Sequence, residues 1–226
     1  MVETATGLIL RTRPLTETSL IVQWLTKDLG RVATVAKAAR RPQSPFRGKL
    51  DLFYLADFSF SRSRRSELHT LREVNPLDTH KFLREELAHL QQAAYCAALL
   101  EQTTETETPL GCVFELLNGL LGHLAKQPAQ PRTIFAFELK LLSELGLDPD
   151  LESDSLAQDT KELIKALKAS SWPELATLKA TNSQVKELSR FLTGFLIFHL
   201  GKIPKGRAAA LGPGVPNIRV NEPGLL

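Results

Sequence analysis

The spacing of apolar residues changes once along this chain, and that change restricts the folds open to it. Up to Asn75-Pro76 the apolar residues come in short runs with β-type spacing; beyond it they recur with helical spacing. One regular layer cannot satisfy both patterns, so the chain must join a β-rich part to an α-helical part. Proline also disfavours the helical region for the residue before it, which puts the expected boundary at this dipeptide. A length of 226 residues fits one or two domains.

Five strand candidates lie before the switch: residues 4–13, 19–26, 31–36, 50–60 and 67–74. In residues 50–60 (LDLFYLADFSF), Leu50, Leu52, Tyr54, Ala56, Phe58 and Phe60 alternate onto one face. Five short strands fit a small barrel, and the OB-fold is a five-stranded barrel. Beyond the switch, Asp78 or Thr79 can cap a helix with the stripe Phe82, Leu83, Leu87, Leu90, Ala94, Ala97 and Leu100. Further helices are expected from Pro109 to about Leu124, over residues 133–145 before Gly146, over 155–169, and over 181–200. The expected class is therefore α+β, with an OB-fold barrel over residues 1–77, a helical domain over 78–200, and a poorly ordered basic tail over 201–226.

Several classes are disfavoured. No apolar run approaches the ~18 residues of a membrane span, and the start lacks the basic and apolar regions of a secretory signal. Two cysteines, Cys96 and Cys112, build neither a disulfide framework nor a four-thiolate zinc site; both are expected as small buried hydrophobes on helical faces, in a cytoplasmic protein. There is no G-x-S-x-G, Walker A or H-E-x-x-H pattern. The histidines show no metal-ligand spacing, and His89 and His123 are expected to be partly exposed. No catalytic residue, cofactor or metal is expected.

The net charge of +3 hides a partition. Residues 1–84 carry 15 Lys+Arg against 8 Asp+Glu, residues 85–200 carry 9 against 16, and residues 201–226 carry 4 against 1. A basic barrel attracts a polyanion, because contacts to phosphates release condensed counterions. The densest stretch is residues 35–50 (VAKAARRPQSPFRGKL), with Lys37, Arg40, Arg41, Arg47 and Lys49 and no acid. Its prolines and Gly48 make it a loop, and arginines on a loop over a small barrel can follow a phosphate backbone. Arg31 and the cluster Arg62, Arg64 and Arg65 are further candidates, and Arg11 and Arg13 end the first strand. Aromatic residues nearby are few and suited to the core, so backbone contacts should outweigh base reading. Composition leaves DNA binding, RNA binding and a metal-dependent nuclease open.

Residues 7–13 (GLILRTR), 17–22 (ETSLIV), 25–30 (LTKDLG) and 36–42 (AKAARRP) resemble the N-terminal pattern of the bacterial recombination mediator family RecO. Residues 110–121 (LGCVFELLNGLL) and 137–149 (FELKLLSELGLDP) are similar to its central helices. The resemblance implies an OB-fold followed by a helical domain. It implies a DNA repair and recombination function: binding single- and double-stranded DNA, annealing complementary strands, and loading RecA with the partner RecR onto strands coated by single-strand binding protein. By matching position, Lys37, Arg40 and Arg41 are the leading DNA contacts, with Arg31, Arg47, Lys49, Arg62, Arg64 and Arg65 added by charge and place. The acidic tail of single-strand binding protein is expected at Phe137, Leu141 and Leu142, with Arg132 and Lys140 as the nearest cations; the basic pair found in some members is Phe135-Ala136 here. Many members also insert a four-cysteine zinc module, whereas residues 151–170 here contain no cysteine.

Overall fold

Strand β1 (Val2–Pro14) is paired along both edges, and this closes the first unit of the protein. The computed structural model describes residues 2–151 and 156–215. The first half of β1 pairs with β4 (Leu55–Ser61), from Val2↔Ser61 to Leu8↔Leu55. Its second half pairs with β2 (Leu20–Thr26), from Gly7↔Thr26 to Pro14↔Leu20. The two ladders overlap at Gly7 and Leu8, and a register shift between Ile9 and Arg11 bends the strand. A Cβ at Gly7 would sit 2.9 Å from the Leu25 carbonyl oxygen and 3.2 Å from the Phe58 ring, so the close approach requires glycine. Strand β3 (Gly30–Ala36) pairs with β2 and, in parallel, with β5 (Leu68–Asp78), which pairs in turn with β4. The closed order β1-β2-β3-β5-β4 is the OB-fold barrel expected from the sequence.

The barrel interior is filled by Ile9, Val22, Trp24, Val32, Phe58, Phe60, Leu71 and Val74. Trp24 is fully buried; its indole N–H donates to the Thr34 hydroxyl at 2.8 Å, and its ring stacks on Phe58 with centroids 4.0 Å apart. Such a pair adds about 0.5–1.5 kcal/mol beyond its area burial. Phe46, from the β3–β4 loop, is 7% exposed and belongs to the same core.

Four local expectations are corrected. Strand β4 starts at Leu55, not Leu50, because Phe53 is buried with φ +62 and exchanges backbone bonds with Ile9 through Phe53 N–H and Tyr54 C=O. Leu50 and Leu52 therefore lie in the loop. Strand β5 runs through Pro76, where only β4 pairs with it, so the missing N–H interrupts no ladder to β3. The first long helix, α1 (Leu87–Thr103), starts later than expected; residues Lys81–Arg84 form a single 3-10 turn. His80 holds this entry, with φ +43 and Nδ1 2.7 Å from the Phe53 carbonyl oxygen. The buried face of α1 also differs from the apolar stripe: Leu87 and Ala94 are exposed, while His89 and Gln92 are buried.

The chain divides into two compact units, Met1–Phe82 with Thr104–Asn118, and Leu83–Thr103 with Gly119–Leu226. This grouping differs from a division into 1–77 and 78–200, since Thr104–Asn118 goes with the barrel. The remaining helices are α2 (Gly111–Leu124), α3 (Pro131–Glu144), α4 (Gln158–Ala169), α5 (Trp172–Leu175), α6 (Asn182–Leu200) and α7 (Arg207–Leu211). Within the second unit α3 is central and packs against α1, α4, α6 and α7. Helix α4 occupies the cysteine-free stretch and is held by Leu163, Ile164 and Leu167. Its N-terminus is served by Glu187 of α6, which accepts from the Ala157 N–H at 3.1 Å and from the Thr160 hydroxyl. Those bonds, the Thr160 hydroxyl first, hold the Glu187 carboxyl below its usual range. His123 is buried, which lowers its pKa, and Cys112 is exposed; both differ from expectation.

The tail expectation is also corrected over its described part. Helix α7 sits on α1 and α3, and Arg207 is 8% exposed. Its guanidinium meets Glu138 of α3 through two bonds, at 2.6 and 2.8 Å, and donates to the Thr193 hydroxyl at 2.8 Å. The Tyr95 hydroxyl donates to the same carboxylate at 2.5 Å. Burial first, then the Glu138 charge, pushes the Tyr95 phenol well up. For Arg207 burial opposes the charge, but Glu138 outweighs it and raises the pKa. Residues 216–226 of the expected tail lie outside the described residues. Removing one partner of such a pair strands the other charge, so Glu138→Gln should cost about 3–5 kcal/mol in urea unfolding. Pairing it with Arg207→Met should recover much of that loss; additive losses would show that the two groups do not act as a pair.

Candidate nucleic-acid interface

The β3–β4 loop, residues 37–54, carries five of the expected cations and is built from consecutive turns. Backbone bonds run from Ala39 to Ala36, Arg41 to Ala38, Ser44 to Arg41, Arg47 to Ser44 and Lys49 to Phe46, each N–H donating to the earlier carbonyl. Phe46 anchors the middle of the loop in the barrel core. The neighbouring β1–β2 loop braces the other side: Arg40 N–H donates to the Thr18 carbonyl at 2.9 Å, and Ala38 N–H to the Ser19 hydroxyl at 3.4 Å. The loop is thus shaped before any ligand arrives, which reduces the ordering cost of binding.

Arg40, Arg41 and Arg47 line one concavity of about 380 Å³, with Leu20, Phe46 and Leu50 among its apolar walls. Arg40 and Arg47 reach only carbonyl oxygens, of Thr16 at 3.5 Å and Pro42 at 3.4 Å. Lys37, Arg40, Arg41 and Arg47 are exposed, and Lys49 is half-buried. Among the described residues none of these five forms an ion pair with a carboxylate. Lys49 instead faces a larger concavity of about 810 Å³, shared with Arg72, Asp57 and Glu73. Arg64 and Arg65 are exposed on the β4–β5 turn and line neither concavity.

Arg31 and Arg62 are placed differently. Arg62 grips both Glu3 oxygens, at 2.8 and 3.0 Å, and Glu107 at 2.9 Å. Glu107 also lies 2.5 Å from His69 Nε2; Ser63 N–H donates to His69 Nδ1, so Nε2 carries the proton. The His69 ring is buried and stacks on Phe60. Arg31 donates to the Thr104 carbonyl, and its own carbonyl accepts from Glu107 N–H at 2.8 Å. Both arginines therefore tie the segment 104–118 to the barrel within one unit. Sequence could not show this, because Glu3 and Glu107 lie far from Arg62 in the chain. Sequence reasoning also missed Leu20 and Leu50 as concavity walls, since β-type apolar residues read as core.

The tail-docking residues expected on α3 are core. Phe137, Leu141 and Leu142 are at most 1% exposed. Arg132 donates to the Leu178 carbonyl at 2.7 Å. Lys140 donates to the carbonyls of Lys168 and Ser170 at 2.7 and 2.6 Å, serving the C-terminus of α4. Burial lowers the Lys140 pKa. The apolar spacing that marked this helix is that of an element covered on several sides. Among the described residues, no group of three or more His, Cys, Asp and Glu could hold a metal ion, and no helix is long and apolar enough to cross a membrane.

Two family profiles match the chain: "Recombination protein O N terminal" over residues 1–80 and "Recombination protein O C terminal" over residues 84–157. Proteins named DNA repair protein RecO are similar to it. That of Alkaliphilus metalliredigens is 34% identical over 148 residues, 65% of this chain and 59% of the relative. Those of Bacillus pumilus and Rhodopirellula baltica are each 32% identical, over 65% and 63% of this chain and 56% and 53% of the relatives. The matched stretch thus spans little more than half the length of these relatives.

Arg62 holds the Glu3 carboxyl below its ordinary value of 4.5. A lowered folded pKa contributes stability that is complete above 4.5 and is lost as pH falls through the folded value. Glu3→Gln should therefore lower the thermal midpoint at neutral pH and leave it nearly equal to that of the unsubstituted protein in strong acid. A difference that persists unchanged into acid would remove the ion pair as its source.

Proposed function

Since the chain belongs to the RecO family of recombination proteins, we propose that it binds DNA through the phosphates and serves DNA repair and homologous recombination without covalent catalysis. In this reading it binds single and double strands and anneals complementary strands. With RecR it helps load RecA onto single strands coated by single-strand binding protein. The observation that carries the reading is the β3–β4 loop: five cations without carboxylate partners among the described residues, on a backbone shaped by turns and anchored by Phe46.

The physical route is electrostatic. Two DNA strands repel each other, and cations that neutralise phosphates on both lower that barrier to pairing. Lys37, Arg40 and Arg41 lead, joined by Arg47 and Lys49, with Arg64 and Arg65 as outlying contributors. Arg31 and Arg62 are assigned to holding the barrel and the segment 104–118 together, since Arg31 already reaches the Thr104 carbonyl and Arg62 the carboxylates of Glu3 and Glu107. Docking of the acidic tail of single-strand binding protein on α3 at Phe137, Leu141 and Leu142 would require opening the core.

Fluorescence anisotropy on a labelled single strand tests the reading. Lys37→Glu with Arg40→Glu should weaken binding at least about tenfold and flatten the log–log salt dependence by roughly 1.5. Arg62→Gln should leave the affinity unchanged. Unchanged affinity in the double variant would remove the loop as the interface. Annealing of complementary oligonucleotides, with and without single-strand binding protein, should slow in the same double variant.

A further inference from the structure

The concavity between the turns of the β3–β4 loop has a chemistry that phosphate binding alone does not use. Three arginines, Arg40, Arg41 and Arg47, are among the residues that line it. Its walls include Leu20, Phe46 and Leu50, which also pack against the barrel core. No carboxylate lines it. Its volume, about 380 Å³, lies at the small end of the ~300–1,000 Å³ typical of ligand clefts. A site for phosphates alone needs no apolar walls, and a site for a greasy ligand needs no trio of arginines.

We propose that this concavity receives one unstacked nucleotide, with its base against the apolar walls and guanidinium planes and its phosphate on the arginines. This rests on the phosphate-binding reading above and adds the form of DNA preferred at this loop: a single strand whose bases are free to splay out. In a duplex the bases are stacked and paired, so entry would carry the added cost of extruding one. Guanidinium planes stack on bases while their N–H groups hold phosphate, which is why arginine rather than lysine suits this site. The turns of the loop are closed by backbone bonds, so the site precedes the ligand. Base identity is not read, because apolar walls and stacking accept any π-face.

The experiment compares the native protein's affinity for a short oligothymidylate and for an abasic oligomer of the same length and charge, by competition anisotropy over a salt series. The thymidylate should bind at least about fivefold tighter, with the same salt slope for both. A strand carrying 2-aminopurine should brighten on binding as its base leaves its neighbours. Ala39→Leu, which fills the concavity without changing charge, should bring the affinity ratio towards one and leave abasic binding intact. Equal affinity for both native ligands would overturn the nucleotide site and leave the phosphate reading standing. Binding of neither would overturn both. A ratio that survives in folded Ala39→Leu protein, verified by circular dichroism, would place base recognition elsewhere and overturn this assignment.

Discussion

The double pairing of β1 is the constraint on which the first unit depends. At Gly7 and Leu8 one strand completes hydrogen bonds to β2 and β4 together, and the sheet has no free edge there. That closure fixes the positions of β3 and β4, from which the basic loop is hung. It also needs a residue without a side chain, because the Leu25 carbonyl and the Phe58 ring approach from both sides. Phe58 in turn stacks on Trp24, so the closure point and the aromatic core are one packed assembly.

Cations on the barrel fall into two groups by what they touch. Arg31 donates to the Thr104 carbonyl, and Arg62 to the carboxylates of Glu3 and Glu107. Lys37, Arg40, Arg41 and Arg47 face solvent on a preformed loop, with at most long bonds to carbonyls. Charge density in the sequence counts both groups equally; only the second keeps the hydrogen-bonding capacity a polyanion requires.

The second unit is organised around a buried charge. Glu138 lies on a helix that is apolar around most of its circumference and receives Arg207 and Tyr95. An isolated carboxylate there would be expensive, so the pair fastens the short helix α7, whose few apolar side chains would hold it weakly. The same helix α3 explains why an apolar run that resembles a docking surface is core: neighbours cover it on several sides.

By itself the sequence determined the period switch, five strands followed by helices, the RecO resemblance and the basic loop, because hydrophobic spacing and charge density are local properties. It misplaced the ends of β4 and β5, where a buried Phe53 with φ +62 and a proline on a singly paired stretch break local rules. Tertiary structure alone decided which arginines remain open to solvent, that Leu20 and Leu50 wall a concavity, and that Arg207 is buried. Each of these depends on partners distant in the chain, as Arg62 is from Glu3 and Arg207 from Glu138, and no pattern of neighbouring residues encodes such meetings.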